Sequence, residues 1–388
     1  MRHKITKHLK MERDNHIIEE RGKNTELLPQ ELIIEILLKL PVKSLSRFKC
    51  VCKSWLSLIS DPHFTTSHFE LDTPHTERLV FFVPRTREAR SIDFNLPLQD
   101  DSASVALKLE FLPPKPCDIQ IRGSCRGFVL LDSCQSLWVW NPSTGAHKKV
   151  PSSPTVLMGM FFIFLYGFGY DPSTNDYIVV QASCNLYGLI RVEIFSLKDN
   201  AWKEMEGINL SKINNWNDRR NGSLLNGVNA IHWLTYRYNV PEHFILAFDL
   251  MERNFTEVPL PIGFKENCDF NFCDLGVLGE FLSLCVVGHH CPAEIWVMEE
   301  YRVQSSWTKI IVVSVDQVPT RYFTLICSTK GGDIVGKLRS TTLVKCDAQG
   351  QLLERQYYYD CPNGFPMTVY TESLLSLPFD SEQAENDD

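Results

Sequence analysis

His289, His290 and Cys291 are the residues whose types most resemble metal ligands, because imidazole and thiolate both bind zinc. Adjacent residues point to different sides of a strand, however, and no second ligand pair stands at a recognisable spacing. The three read as a loop or sheet-edge cluster, and Cys268 and Cys273 share the same weakness. A thiol nucleophile needs an activating neighbour, and none of the 13 cysteines has one nearby in sequence. Cys50 and Cys52 fall on apolar helical positions and read as packing residues. Gly167, Phe168, Gly169 and Tyr170 do not form a dinucleotide loop, since Asp171, Pro172, Ser173 and Thr174 follow as a hairpin turn rather than a helix start. No phosphate loop, GxSxG elbow or HExxH occurs. Trp216, Trp233 and Tyr236 could line a binding face, but aromatics at strand spacing read first as core. The expectation is no catalytic group, no metal and no cofactor.

Any function must then come from surfaces, and the stretch 28–64 offers one. Pro29 suits a first helical turn, where N–H groups are spare. Glu31 and Glu35 favour the positive end of the helix dipole. Leu32, Ile33, Ile36, Leu37 and Leu40 follow at helical spacing, and Ile34 and Leu38 give a second apolar face. Pro41 ends this helix. Leu45, Phe48, Val51 and Cys52 mark a second helix; Trp55, Leu56, Leu58 and Ile59 mark a third, stopped by Asp61 and Pro62. Three helices in fewer than ~40 residues cannot bury this much apolar surface among themselves. Two readings stand on the pattern alone: a cap packed on the rest of the chain, or a module that docks on helices of another protein.

Beyond residue 71 helical spacing gives way to short β-type runs. Residues 79–83 and 91–95 read as strands, and 99–116, with Pro113, Pro114 and Pro116, as a loop. From Cys125 an approximate repeat appears, in which a buried strand, a polar turn and an emerging strand recur. Anchored at the strand ends Trp140, Phe195, Phe248, Met298 and Cys346, its period is about 50 residues. Trp202, Phe255 and Trp307 follow their anchors as equivalent inter-blade residues, replaced by His147 and Leu353 in the first and last copies. Such a period, built of four short strands, signs a propeller blade. Counting residues 79–95 gives about six units. Residues 367–377 read as another strand pair that completes the first blade and closes the ring. The apolar run 156–166 is too short to span a bilayer and reads as a buried strand or strand and loop.

A net charge of −8 argues against a general nucleic-acid binder. Apolar content of 44% and charged content of 22% are ordinary for a globular protein. The cysteines, odd in number, and the polar first 25 residues favour free thiols in a reducing compartment, the nucleus or cytoplasm, and not secretion. Matches to the glycosylation pattern at Asn209, Asn221 and Asn254 are then chance.

Two resemblances organise these readings. Leu28 and Pro29, the run Leu40-Pro41-Val42-Lys43-Ser44-Leu45, and Cys50-Val51-Cys52-Lys53-Ser54-Trp55 resemble the F-box in the form common in plants. The NPSTGAHKKVP and GFGYDPSTNDYIVV segments and the VEIFSL, ILAFDL and IWVMEE strand ends resemble the F-box-associated, kelch-like domain of plant F-box proteins. The expected architecture is α+β and multidomain: a disordered tail over 1–25, a small three-helix F-box over 26–70, an all-β propeller-like domain of about six blades over 71–378, and an acidic disordered tail over 379–388.

The resemblance implies a substrate-recognition adaptor of an SCF-type ubiquitin ligase, itself non-catalytic. A Skp-type adaptor would be bound by Leu28, Pro29, Leu32, Ile36, Leu40, Pro41, Leu45, Val51 and Trp55. Some of these could instead pack the helices together. Through the adaptor come cullin and RING subunits, while the propeller loops hold a target protein. No nucleic acid or membrane is implied. Lys43, Arg47, Lys49 and Lys53 would give the module a basic side suited to an acidic partner surface. Rival readings are an F-box protein acting without a cullin, and a propeller enzyme with its site in the central channel.

Overall fold

The computed structural model describes residues 29–71, 76–82, 88–100, 104–112, 119–133, 136–157, 159, 161–185, 189–206, 220–237, 242–264, 273–287, 292–313, 323–338, 341–358 and 366–378. The chain divides into two compact units, Met1–Pro74 and His75–Asp388. The expected tails, Leu28, Trp216, Cys268, His289, His290 and Cys291 lie outside the described residues.

The first unit holds α1 (Gln30–Leu38), α2 (Val42–Phe48), α3 (Lys53–Ser60) and α4 (Pro62–Glu70). Pro29 and Pro41 stand just ahead of α1 and α2 with extended backbone, where a proline's lost N–H is harmless. Leu37, Val42, Leu45, Ile59 and Phe64 are buried and form the core. The spacing predicts three helices ending at Asp61 and Pro62, yet a fourth follows. Asp61 Oδ1 accepts the N–H groups of His63 (2.9 Å) and Phe64 (3.1 Å), and Pro62 fills the first turn. The dipeptide that stops α3 therefore starts α4. His68 on α4 donates through Nε2 to the Leu40 carbonyl at 2.8 Å, tying α4 back to the end of α1.

The second unit is a ring of six sheets, the blades. β1 (Glu77–Phe82), β2 (Glu88–Ile92) and β3 (Ser104–Lys108) belong to the first. β4 (Ile119–Cys125), β5 (Phe128–Ser133), β6 (Ser136–Trp140) and β7 (His147–Val150) make the second. A short helix, α5 (Pro154–Leu157), leads to β8 (Phe161–Asp171), β9 (Asp176–Asn185), β10 (Ile190–Ser196) and β11 (Ala201–Glu204). To this third blade β12 (Arg220–Asn221) adds a strand parallel to β8. The fourth is β13 (Ser223–Leu225), β14 (Ala230–Arg237), β15 (Glu242–Asp249) and β16 (Phe255–Val258). The fifth is β17 (Asp274–Leu278), β18 (Phe281–Val287), β19 (Ala293–Met298) and β20 (Trp307–Val313). The sixth is β21 (Phe323–Ser328), β22 (Ile334–Leu338), β23 (Thr342–Cys346) and β24 (Leu352–Tyr357). β25 (Met367–Thr371) returns to pair antiparallel with β1, Leu79 opposite Val369, so the chain's end closes its first blade.

The repeat read from the sequence is the junction of third and fourth strands. Trp140 pairs with His147, Phe195 with Trp202, Phe248 with Phe255 and Met298 with Trp307. In the sixth blade a register shift next to Cys346 makes its partner Leu352, and the expected Leu353 faces solvent. Three of these turns share one chemistry. Asn141 accepts from the Ser143 N–H, Asp249 from Met251 and Glu252, and Asp347 from Gln349 and Gln351. Each turn then passes through a left-handed residue: Gly145, Arg253 and Gly350.

Apolar clusters fill the spaces between blades. Val80 and Phe82 meet Val129, Leu131 and Trp140, and Leu165 and Val180 meet Ile231, Trp233 and Phe248. Ile245 meets Leu284 and Trp307, Val287 meets Phe323, and Leu79 of the first blade meets Val335 and Leu343 of the sixth. Trp202 and Trp307 each reach back to the preceding blade, donating indole N–H to the carbonyls of Pro151 (2.7 Å) and Pro259 (2.8 Å).

Two expectations change here. The stretch read as a loop contains β3, an outer edge strand whose residues are mostly exposed and so show no apolar alternation. The final segment is one strand rather than a pair. After β25 it carries no further strand and is held by Asn141 Nδ2 donating to the carbonyls of Ser373 (3.0 Å) and Leu375 (3.1 Å). Gly127, at φ +85°, lets it pass: a Cβ there would sit 2.2 Å from Ser373 Cβ. Among the described residues no helix is long and apolar enough to cross a membrane. The apolar run 156–166 spans the end of α5 and the start of β8.

Candidate functional site

In the helical unit, α1 turns Leu37 inward and leaves Leu32 43% and Ile36 50% exposed. The two are one turn apart and share a face. Leu56 on α3 is 47% exposed, and Val51, in the connection between α2 and α3, is 61% exposed. Pro29 and Pro41 are exposed as well. Leu40 and Trp55 are half-buried. The Trp55 ring packs on Phe48 at 5.3 Å between centroids, which joins α3 to α2. The sequence-derived contact set thus divides. Pro29, Leu32, Ile36, Pro41 and Val51 are available to a partner, while Leu40 and Trp55 both pack and present.

Leu45 is a correction, because it is completely buried and belongs to the core that holds the helices together. Leu56, as exposed as Leu32 and Ile36, lies outside the sequence-derived set. Helical periodicity marks both as apolar, and nothing local to either shows which faces inward. Cys50 and Cys52 are a second correction. Both are exposed, and Cys52 caps α3, its Sγ accepting the Trp55 N–H at 3.5 Å. The other described cysteines, Cys125, Cys184, Cys273, Cys285, Cys327 and Cys346, are buried. Burial pushes the Cys125 thiol up to about 12, which makes it inert at neutral pH.

Lys43, Arg47 and Lys53 are exposed; Lys49 is half-buried, and burial lowers its pKa. Lys43 and Arg47 lie one turn apart on α2 and so give that helix a cationic face. The unit offers apolar anchors and a cationic face, which is the chemistry of a docking surface.

In the ring, the innermost strands surround a channel of about 640 Å³. Its wall includes Gln120 and Ser124 from β4, Asn221 from β12, Ser223 from β13, Asp274 from β17, Thr324 from β21 and Thr368 from β25, with Lys337 from β22. Several of these groups are already engaged. Ser124 donates to the Val369 carbonyl (2.6 Å), Ser223 to that of Leu275 (2.8 Å), and Asn221 Nδ2 to that of Ile121 (2.7 Å). Each of these bonds joins one blade's inner strand to the next. Arg122 is tied to Asp132 (2.7 Å) and Asn221 (3.2 Å) and lies over the Tyr166 ring.

Of the aromatics singled out in the sequence, Trp233 is core and donates to the Tyr166 carbonyl at 2.7 Å, while Tyr236 is half-buried against His243. Among the described residues no group of three or more His, Cys, Asp or Glu side chains is placed to hold a metal ion.

The geometry has counterparts in known proteins. Residues 26–67 match the F-box domain, and residues 80–356 match the F-box associated beta propeller domain. The chain is 28% identical to F-box protein CPR1 of Arabidopsis thaliana over 377 residues, 90% of this chain and 88% of that protein. It is 30% identical to F-box/kelch-repeat protein At3g23880 of the same plant, covering 74% of this chain and 79% of that one. The putative F-box protein At3g16210, again from Arabidopsis thaliana, is 30% identical over 75% of each chain. With four helices that leave Leu32, Ile36, Val51 and Leu56 uncovered, and six blades closed by the chain's own last strand, the chain belongs to the F-box proteins that carry an F-box-associated β-propeller.

Proposed function

We propose that this protein is the substrate-recognition subunit of an SCF-type ubiquitin ligase. Its F-box docks a Skp-type adaptor, which brings the cullin and RING subunits, and its propeller holds a target protein for ubiquitination and proteasomal degradation, in the nucleus or cytoplasm. The reading rests on the domain pair, and one observation carries it: the helices that match the F-box leave four large apolar side chains, Leu32, Ile36, Val51 and Leu56, at least 43% exposed within the chain. The basic residues of α2 suit an acidic partner and would speed encounter.

Such a subunit needs no catalytic group. Holding the target beside a charged conjugating enzyme turns a bimolecular transfer into a nearly intramolecular one. The test is affinity capture of the tagged full-length chain from plant cells, with and without proteasome inhibition. Adaptor, cullin and RING subunit together, with ubiquitinated proteins accumulating under inhibition, is the expected result. Adaptor recovered repeatedly without cullin would overturn the ligase reading.

A further inference from the structure

The channel wall is uneven in what it leaves unused. Its serines and Asn221 staple one inner strand to the next. Asp274 and Lys337 are different: both line the channel, and among the described residues neither side chain makes a hydrogen bond or an ion pair, though each lies within the other's field. Lys337 pairs in register with Thr324, near the start of β21, and Asp274 begins β17. Both therefore sit toward the end of the channel at which these inner strands begin. Close by, Ser283 Oγ is buried without a hydrogen-bond partner. It lies behind channel-lining Gly276, where a Cβ would sit 3.5 Å from it.

We propose that the channel is a binding site for a small zwitterion of the free α-amino-acid class, its carboxylate on Lys337 and its ammonium on Asp274. An anion alone would meet Asp274 unfavourably, and a cation alone would meet Lys337 unfavourably. A ligand carrying both charges compensates both. The volume, about 640 Å³, lies in the range of small-molecule sites. The Lys337 ammonium pays for its partial burial with a lowered pKa, only partly offset by Asp274, so a bound carboxylate would restore it. The proposal does not depend on adaptor docking.

The experiment is calorimetric titration of the full-length protein with a panel of free L-amino acids, each compared with its N-acetyl amide, and with acetate and methylamine as single-charge probes. At least one free amino acid should bind saturably. Its blocked amide and the single-charge probes should bind at least tenfold more weakly. Lys337→Met and Asp274→Asn should each weaken that amino acid at least tenfold while the protein still binds a Skp-type adaptor. Absence of saturable binding by every amino acid overturns the proposal, and so does equal binding of the blocked amide. The probe comparison is made on the unaltered chain, so it decides the matter even where a variant fails to fold.

Discussion

Replacing Leu32 and Ile36 together by alanine separates docking from folding. Fully burying a leucine or isoleucine side chain is worth about 1.5–3 kcal/mol. Leu32 is 43% exposed and Ile36 50%, so a partner that covers them gains about 1 kcal/mol from each. Losing both should cost about 2 kcal/mol of binding, roughly a 30-fold rise in Kd. The inward halves of the two side chains also pack, so the helical unit loses about 2 kcal/mol of stability as well. The assay is titration of the full-length protein with a purified Skp-type adaptor, beside a circular dichroism melt that establishes the helical unit as folded at the assay temperature. Leu45→Ala is the contrast. That side chain has no exposure to give a partner, and its loss should cost about 2–5 kcal/mol of stability. Its binding defect should track unfolding and recede on cooling, whereas the Leu32 and Ile36 defect should persist in folded protein. A folded double variant that binds within threefold of the parent would refute the assignment of this face to docking.

Three further outcomes concern the ring. His232 is buried as the neutral form, with Nδ1 directed at the Ser223 carbonyl (3.3 Å) and Nε2 at the Tyr301 hydroxyl (2.8 Å), and burial lowers its pKa from 6.5 to about 4. The unfolded chain takes up the proton first, so its contribution is full above pH 6.5 and is lost as pH falls toward 4; denaturant melts of His232→Gln should show a flatter slope across that window. Trp307→Phe removes the donor to the Pro259 carbonyl and should lower stability by about 1 kcal/mol, read from the denaturation midpoint; Trp202→Phe, at a more exposed position, should cost less. Ending the chain before Met367 leaves β1 as an open edge, so size-exclusion chromatography should show aggregation, reversed by adding residues 366–378 as a peptide.

What the sequence made legible is what is local and repeated. The anchors Trp140, Phe195, Phe248, Met298 and Cys346 all fall at the ends of third strands, because each blade pairs its third and fourth strands through a short polar turn. Turn chemistry of this kind acts within a few residues, so it leaves a signature in composition. Closure by the last strand was legible for a different reason: a ring otherwise ends in an unpaired edge, and only residues 367–377 remained to cover it. β3 and β12 left no such trace. β3 is exposed on both faces, and β12 is two residues long, so neither carries an alternating pattern. One bulge beside Cys346 was enough to exchange Leu353 for Leu352.

Which apolar side chains of the helical unit stay exposed was not legible either, and for a sharper reason. A short helix apolar on two faces does not declare which face turns inward, and Leu45 and Leu56 look alike to any periodicity. The choice is made by α4, whose Phe64 is buried in the unit's core and whose His68 bonds the Leu40 carbonyl, yet α4 itself shows a weak apolar pattern because Thr65 and His68 fill buried positions. The element with the least apolar signature thus takes part in deciding which leucines of its neighbours are left for a partner. For the same reason the outward and the core residues of this unit are separable by experiment: truncating a core leucine weakens binding only by unfolding the unit, whereas truncating an outward one weakens binding in protein that is still folded.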